Sequence, residues 1–260
     1  MKKNYFTNRI CNQLILSCLL SGLVFSSQPS IEEIKTNLFA NYQKIEDYSV
    51  KVKIKLKMPG LRMPRKKLKL FYKSPDKIKV ETRGFALVPK SGLGGSPLKY
   101  LNKLLSIKYL GETELNERKH FVLNGPILPD SLDFDIGNSE NFPVVKMQFW
   151  IDAETWMLSK IETQLDTLPV FTIQNHYMEI DDIFLPKETI IEMSLESLKN
   201  WDFRNPTGGP AGDNRAFHDM VKELDNDKEF SGKMTIEFSK YKVNQGIDDS
   251  IFLTTESLSQ

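Results

Sequence analysis

Leu68, Leu70 and Tyr72 recur at every second position, Ile78 and Val80 repeat the pattern, and Ser74-Pro75-Asp76 stands between the two runs. Apolar residues at period two on either side of a turn signal predict a β-hairpin over residues 69–81. Proline presets φ for the turn, and Ser and Asp hydrogen-bond their own local backbone. A hairpin with one apolar face does not fold alone. It requires a sheet beside it and a layer over that face, and the rest of the chain must supply both.

The sheet is written in the same period. Val50, Val52, Ile54 and Leu56 alternate with Lys51, Lys53, Lys55 and Lys57, giving one greasy and one cationic face. Further strands are predicted over 108–112, 120–123, 144–151, 156–164, 169–177, 185–193 and 233–243. In the last, Met234, Ile236 and Phe238 alternate. Asp152-Ala153-Glu154-Thr155 and Asp181-Asp182 read as turns between neighbouring strands.

The cover is helical. Ser30 followed by Glu33 forms a capping box, and Ile31, Ile34, Leu38, Tyr42 and Ile45 recur at helical spacing. A second, short helix is predicted over 97–107, with Leu98, Leu101, Leu104 and Leu105 on its buried side. Between hairpin and second helix, Phe85, Leu87, Val88 and Leu93 lie among Pro89, Gly92, Gly94 and Gly95. This apolar, glycine-rich stretch suits a lid over a cavity, and equally a plain connection. Residues 195–232 are irregular, with Asn205-Pro206-Thr207-Gly208-Gly209-Pro210 as their core, and read as a long insertion.

The first 26 residues read as a secretory signal peptide. Lys2, Lys3 and Arg9 precede an apolar run from Leu14 to Phe25 that is short for a bilayer span. Residues 27–260 then form a single mature domain. An uncleaved anchor is one alternative, and lipidation at Cys18 in Leu16-Ser17-Cys18 is another. Cys11 and Cys18 are the only cysteines, so the mature chain has no disulfide. It keeps 32 basic against 34 acidic residues, and that balance gives no reason to expect nucleic acid.

Chemistry-bearing motifs are missing. His120, His176 and His218 each lack a second ligand at metal spacing. No nucleophile elbow, Rossmann fingerprint or phosphate-binding loop is present; Gly92-Leu93-Gly94-Gly95 lacks the Lys and Ser/Thr of the latter. No catalytic residue, metal or cofactor is expected, and the chain reads as a non-enzyme.

Several stretches resemble the LolA-like lipoprotein-carrier superfamily of the bacterial periplasm. Lys73-Ser74-Pro75-Asp76-Lys77-Ile78-Lys79-Val80-Glu81 is similar to the family's hairpin. Phe149-Trp150-Ile151-Asp152-Ala153-Glu154-Thr155-Trp156-Met157-Leu158 is similar to its central strand and return, and Ile183-Phe184-Leu185-Pro186 to the entry of a later strand. Tyr241-Lys242-Val243-Asn244-Gln245-Gly246-Ile247-Asp248-Asp249-Ser250-Ile251-Phe252 is similar to its ending. The resemblance implies a mainly β fold: a strongly curved antiparallel sheet, an unclosed β-barrel, with helices capping an apolar cavity for acyl chains.

On this reading the chain is a periplasmic carrier of lipoprotein acyl chains or a related lipid. Strand parity assigns Val52, Ile54, Leu56, Leu68, Leu70, Ile78, Val80, Met147, Phe149, Ile151, Ile190, Met234, Ile236 and Phe238 to the cavity. Phe85, Leu87, Val88 and Leu93 are the lid. An inner- or outer-membrane protein is a further expected partner, and Lys51, Lys53, Lys55 and Lys57 offer a surface to anionic membranes or a plain solvated face. An envelope-stress sensor that restrains a signalling partner, and a structural envelope protein with a filled core, are the alternative functions.

Overall fold

The computed structural model describes residues 28–57, 64–82, 98–128, 144–165, 167–194 and 231–253. The elements in chain order are helix α1 (Ile31–Gln43), strands β1 (Asp47–Lys57), β2 (Lys66–Lys73) and β3 (Lys77–Thr82), and a five-residue helix α2 (Leu98–Asn102). Strands β4 (Lys108–Leu115), β5 (Arg118–Ile127), β6 (Val145–Asp152), β7 (Leu158–Leu165), β8 (Leu168–Ile180), β9 (Ile183–Ser194) and β10 (Ser231–Val243) follow, and a 3-10 turn spans Asp249–Phe252. The lid residues Phe85, Leu87, Val88 and Leu93, the signal segment with Cys11 and Cys18, and His218 lie outside the described residues.

All ten strands join one antiparallel sheet in the order β3-β2-β1-β10-β9-β8-β7-β6-β5-β4. Two meanders, β1 to β3 and β4 to β10, are sewn together where the last strand pairs with the first. β3 and β4 remain as edges, so the sheet is a curved, unclosed half-barrel. Bulges at Ser49/Lys51, Tyr109/Gly111, Trp150/Ile151, Thr163/Gln164 and His176/Tyr177 interrupt the ladders, and bulges are the device that bends a strand and raises its twist.

Two-residue turns join β4 to β5 and β8 to β9. Asn116 and Glu117 have φ of 53° and 62°, and Asp181 and Asp182 have 51° and 60°. Positive φ at both central residues matches the right-handed twist of the flanking strands. The paired aspartates are therefore turn formers.

The apolar side of the sheet is organised in two clusters. Ile34 and Leu38 of α1 and Leu101 of α2 are buried with Phe121, Leu123, Met147, Phe149, Ile151, Leu158 and Ile161 of β5, β6 and β7. Val50, Val52, Ile54, Leu68, Leu70, Leu185, Ile236 and Phe238 form the second, with Ile45 just beyond α1. No residue of α1 or α2 belongs to the second cluster, whose described members come from strands and the α1–β1 turn.

The second helix is shorter than its leucine spacing predicts. Leu104 leaves the helix to bridge Ile127, the N–H of Leu105 bonds the carbonyl of Pro126, and the Leu105 side chain is 61% exposed instead of buried. The cause lies on β5. A Cβ on Gly125 would sit 1.9 Å from the carbonyl oxygen of Ser106. Glycine there lets the 104–106 segment run against the strand as extended chain.

Candidate functional site

Directly opposed residues of an antiparallel pair share a face, so the register traces the inner surface strand by strand. One row runs Leu56, Met234, Ile191, Ile173, Ile161, Phe149, Leu123, Tyr109, crossing β1, β10, β9, β8, β7, β6, β5 and β4. Every member is apolar or aromatic. Ile161, Phe149 and Leu123 are buried in the cluster that holds Ile34 and Leu38 of α1. Leu56, Met234, Ile191 and Ile173 are only partly buried.

Thirteen of the fourteen residues assigned by parity fall on this inner face. Met147, Phe149 and Ile151 lie in the cluster with α1. Val52, Ile54, Leu68, Leu70, Ile236 and Phe238 lie in the other, with Ile78, Val80 and Met234 packed against it; Leu56 belongs to neither and is partly exposed. Ile190 is the correction. It faces Thr235 and Gln174 on the outer surface, while its neighbour Ile191 faces Met234 and Ile173 on the inner one.

The two ends of the sheet differ. Where α1 runs into β1, aromatic rings and hydrogen bonds fill the space. Tyr48 stacks on Tyr72 at 5.1 Å and meets Tyr241 edge-on at 5.6 Å. The Tyr177 hydroxyl donates to the Leu158 carbonyl at 2.9 Å and so accepts from Tyr42 at 3.0 Å. Burial pushes the phenols of Tyr42, Tyr48, Tyr177 and Tyr241 well above their ordinary range; Tyr241 donates to the Pro186 carbonyl at 2.7 Å, and Tyr48 is held by its ring contacts. One row in from this end, Thr189 donates to the Asn175 carboxamide oxygen and Asn175 to the Leu158 carbonyl.

Among the described residues the opposite end is apolar and only partly covered. Here β1 finishes and β10 begins, with Leu56 and Met234 paired and half-buried. Leu128, Val144 and Leu168, at the ends of β5, β6 and β8 on the same rim, are 52%, 54% and 58% exposed. Further along the row, on edge strand β4, the hydroxyl of Tyr109 is buried and makes no hydrogen bond among the described residues. Burial raises its pKa, with Glu112 adding to the effect.

A polar cleft of about 280 Å³ opens near the aromatic end, lined by Arg118, His120, Asp152, Ser159, Asn175 and Tyr177 among others. His120, isolated in sequence, is brought beside Ser159 and Asp152 by the pairing of β5, β6 and β7. Its Nδ1 donates to the Arg118 carbonyl at 2.9 Å, since a carbonyl can only accept, and its Nε2 is hydrogen-bonded with the Ser159 hydroxyl at 2.9 Å. Arg118 grips Asp152 through Nε at 2.6 Å and Nη2 at 3.0 Å. Asp152 also accepts from the N–H groups of Glu154 and Thr155 and from the Thr155 hydroxyl. Burial works against ionisation of Asp152, but these bonds outweigh it and hold its carboxyl below the usual range. The polar groups are thus spent on one another, locking the β6–β7 turn that puts Trp156, at φ 56°, 5.2 Å from Phe121. His176, on the exposed side of β8, also reaches the cleft. Among the described residues, no three His, Cys, Asp or Glu side chains are grouped to hold a metal. Sequence spacing carries no signal for this network, because its members come from three strands.

No protein-family model and no curated protein matches the chain. Solved structures do. A domain from Vibrio parahaemolyticus, described as an outer membrane lipoprotein-sorting protein domain, superposes with a TM-score of 0.52 at 12% identity, covering 85% of this chain and 94% of that one. A DUF1329 family protein from Desulfovibrio piger gives 0.50 at 12% identity, covering 89% and 100%. A LolA superfamily protein from Nitrosomonas europaea gives 0.48 at 11%, covering 84% and 97%. The chain has the LolA-like fold.

Proposed function

We propose that this protein is an exported, periplasmic carrier that holds acyl chains of lipoproteins, or of a related lipid, against the inner face of its half-barrel for sorting to the outer membrane. The observation that carries this reading is the apolar row from Leu56 to Tyr109, which passes from helix-covered core at Phe149 and Ile161 to half-buried surface at Ile173, Ile191, Met234 and Leu56. A ligand entering where β1 finishes and β10 begins would meet Leu56, Met234, Ile191 and Ile173 first. Burial is worth about 0.8 kcal/mol per CH₂, so one ordinary acyl chain gains roughly 10 kcal/mol before ordering costs. Plain hydrophobes bind without a directional clamp, which suits a carrier that must also release. The Tyr109 hydroxyl, buried and unbonded among the described residues, supplies one donor for an acyl carbonyl. The Vibrio domain's description as a lipoprotein-sorting protein supports the same reading. Binding, not catalysis, is the role proposed: in the polar cleft Arg118 and Asp152 are paired, and His120 is bonded to the Arg118 carbonyl and Ser159.

The test is to purify the protein from its own host, extract it with organic solvent and analyse the extract by mass spectrometry, alongside titration with a fluorescent fatty acid. Bound lipid and saturable uptake are expected. An empty extract together with no uptake would remove the proposal.

A further inference from the structure

The same strands that present the apolar row carry a second feature on their outer face. Lys51, Lys53, Lys55 and Lys57 of β1 all point outward, opposite the face of Val52 and Ile54. The register sets Lys51 directly against Lys69, Lys53 against Lys67, and Lys57 against Lys233. Like charges opposed across strands destabilise a sheet, so three such pairs on one face are kept at a loss in stability. Few acidic groups relieve them. Glu237 pairs with Lys53 at 2.6 Å, Glu192 with Lys233 at 2.8 Å, and Glu81 stands opposite Lys69. Lys51, Lys55, Lys57, Lys67 and Lys69 form no ion pair among the described residues. Lys51, Lys57, Lys67 and Lys69 are exposed, and Lys69 lies 4.2 Å over the ring of Phe71.

Two ordinary explanations fail on placement. Charges that guard a sheet edge belong on the edge strand, but the densest row is on β1, third from the β3 edge. A merely solvated face mixes its signs, as β7 does with Lys160 and Glu162 at 2.9 Å. The composition then selects the partner. β1, β2, β3 and β10 contain no arginine, and Arg65, just before β2, is the one described arginine whose charge reaches this face, whereas arginine is enriched and lysine depleted at protein interfaces. Phe71 is the one aromatic on this outer face and is buried, so there is no platform for stacking bases. Compact lysine charges spread over about 20 Å of strand suit a diffuse anionic surface.

We propose that the outer face of β2, β1 and β10 is an electrostatic docking surface for anionic phospholipid bilayers. The proposal does not depend on the cargo, but its geometry bears on transfer. Lys57 directly follows Leu56, so the cationic row ends where the half-buried apolar row begins. A bilayer held by the lysines lies next to that end of the apolar row.

The test is flotation with vesicles of phosphatidylcholine alone or containing one third phosphatidylglycerol, across a salt series. Binding is expected to the anionic vesicles only, falling as salt approaches physiological strength. The variant Lys51→Gln/Lys55→Gln/Lys67→Gln/Lys69→Gln should bind roughly several-hundred-fold more weakly, about fivefold per lysine. A control of equal charge, Lys44→Gln/Lys108→Gln/Lys146→Gln/Lys187→Gln, should stay within about twofold of the parent, because charge off the docking face contributes little beyond a Debye length. The first variant removes opposed like charges, so its thermal midpoint should hold or rise and its fatty-acid uptake should persist, separating docking from folding and from cargo binding. A parent protein that ignores anionic vesicles at low salt, equal losses in both variants, or capture by polyglutamate in place of vesicles would each overturn the proposal.

Discussion

The carboxylate of Asp47 and the backbone N–H of Gly246 meet at 2.9 Å across 199 positions of sequence. Asp47 is 3% exposed and also accepts from the N–H groups of Gln245 and Ile247. Asn244 completes the clasp, accepting from the N–H of Glu46 and donating to the carbonyl of Lys44. The first and last strands of the sheet are thereby tied together, and the ending Asn244-Gln245-Gly246-Ile247 acquires a physical role. Asp47→Ala removes the shared acceptor of three backbone donors, which lie on a partly exposed turn, and is expected to cost about 1–3 kcal/mol. Gly246 sits at φ 74°, so Gly246→Ala should cost about 1 kcal/mol through the backbone alone. Urea unfolding measures both, and an unchanged midpoint for Asp47→Ala would refute the clasp.

Asp152 makes stability depend on pH in one direction. Its folded pKa is held below the ordinary value despite burial. The stabilisation it contributes is therefore complete above the unfolded carboxyl value of about 3.9 and is lost as pH falls through the lower folded value. Asp249, held down by hydrogen bonds from Lys73 and Lys77, acts in the same sense. Thermal midpoints should fall on acidification below about pH 4, and Asp152→Asn should show a shallower fall. Parallel curves for parent and variant would contradict this account.

Tyr109 separates stability from binding. Its buried hydroxyl has no partner among the described residues, and an unsatisfied buried polar group costs about 1–3 kcal/mol. Tyr109→Phe is expected to raise the thermal midpoint while weakening affinity for an acyl ester, with little change for a plain hydrocarbon chain. A destabilised variant would mean that the hydroxyl is bonded in solution.

Ile190 and Ile191 are adjacent, chemically identical and on opposite faces. Ile191→Asp places a charge beside Met234 and Ile173 and should abolish fatty-acid uptake. Ile190→Asp faces Thr235 and Gln174 and should leave uptake within about twofold, as a surface substitution does. Equal effects on uptake would place the ligand elsewhere.

Much of this fold is legible in the chain because a strand's period of two depends on neither partner nor context. Val50 to Lys57 announces its two faces alone, and Asp181-Asp182 announces its turn. Parity fails where the sequence gives no phase. Ile190-Ile191 is an apolar doublet, and only pairing with β10 decides which of them turns inward. The second helix is overestimated for a similar reason, since its leucine spacing is helical but the bare backbone at Gly125 draws residues 104–106 against β5. His120 gives no sign of Ser159 or Asp152, which stand 39 and 32 positions away.

By itself the sequence determined which residues alternate, where the chain turns, and that one side of its strands is greasy while part of the other is cationic. These are local properties, set by backbone sterics and side-chain chemistry within a few residues. Tertiary structure alone decided which lysines face one another, which isoleucine looks inward, how Asp47 finds Gly246, and which end of the half-barrel is filled by tyrosines. Those follow from register and long-range pairing, and contact between distant segments is fixed only when the whole sheet closes its hydrogen bonds at once.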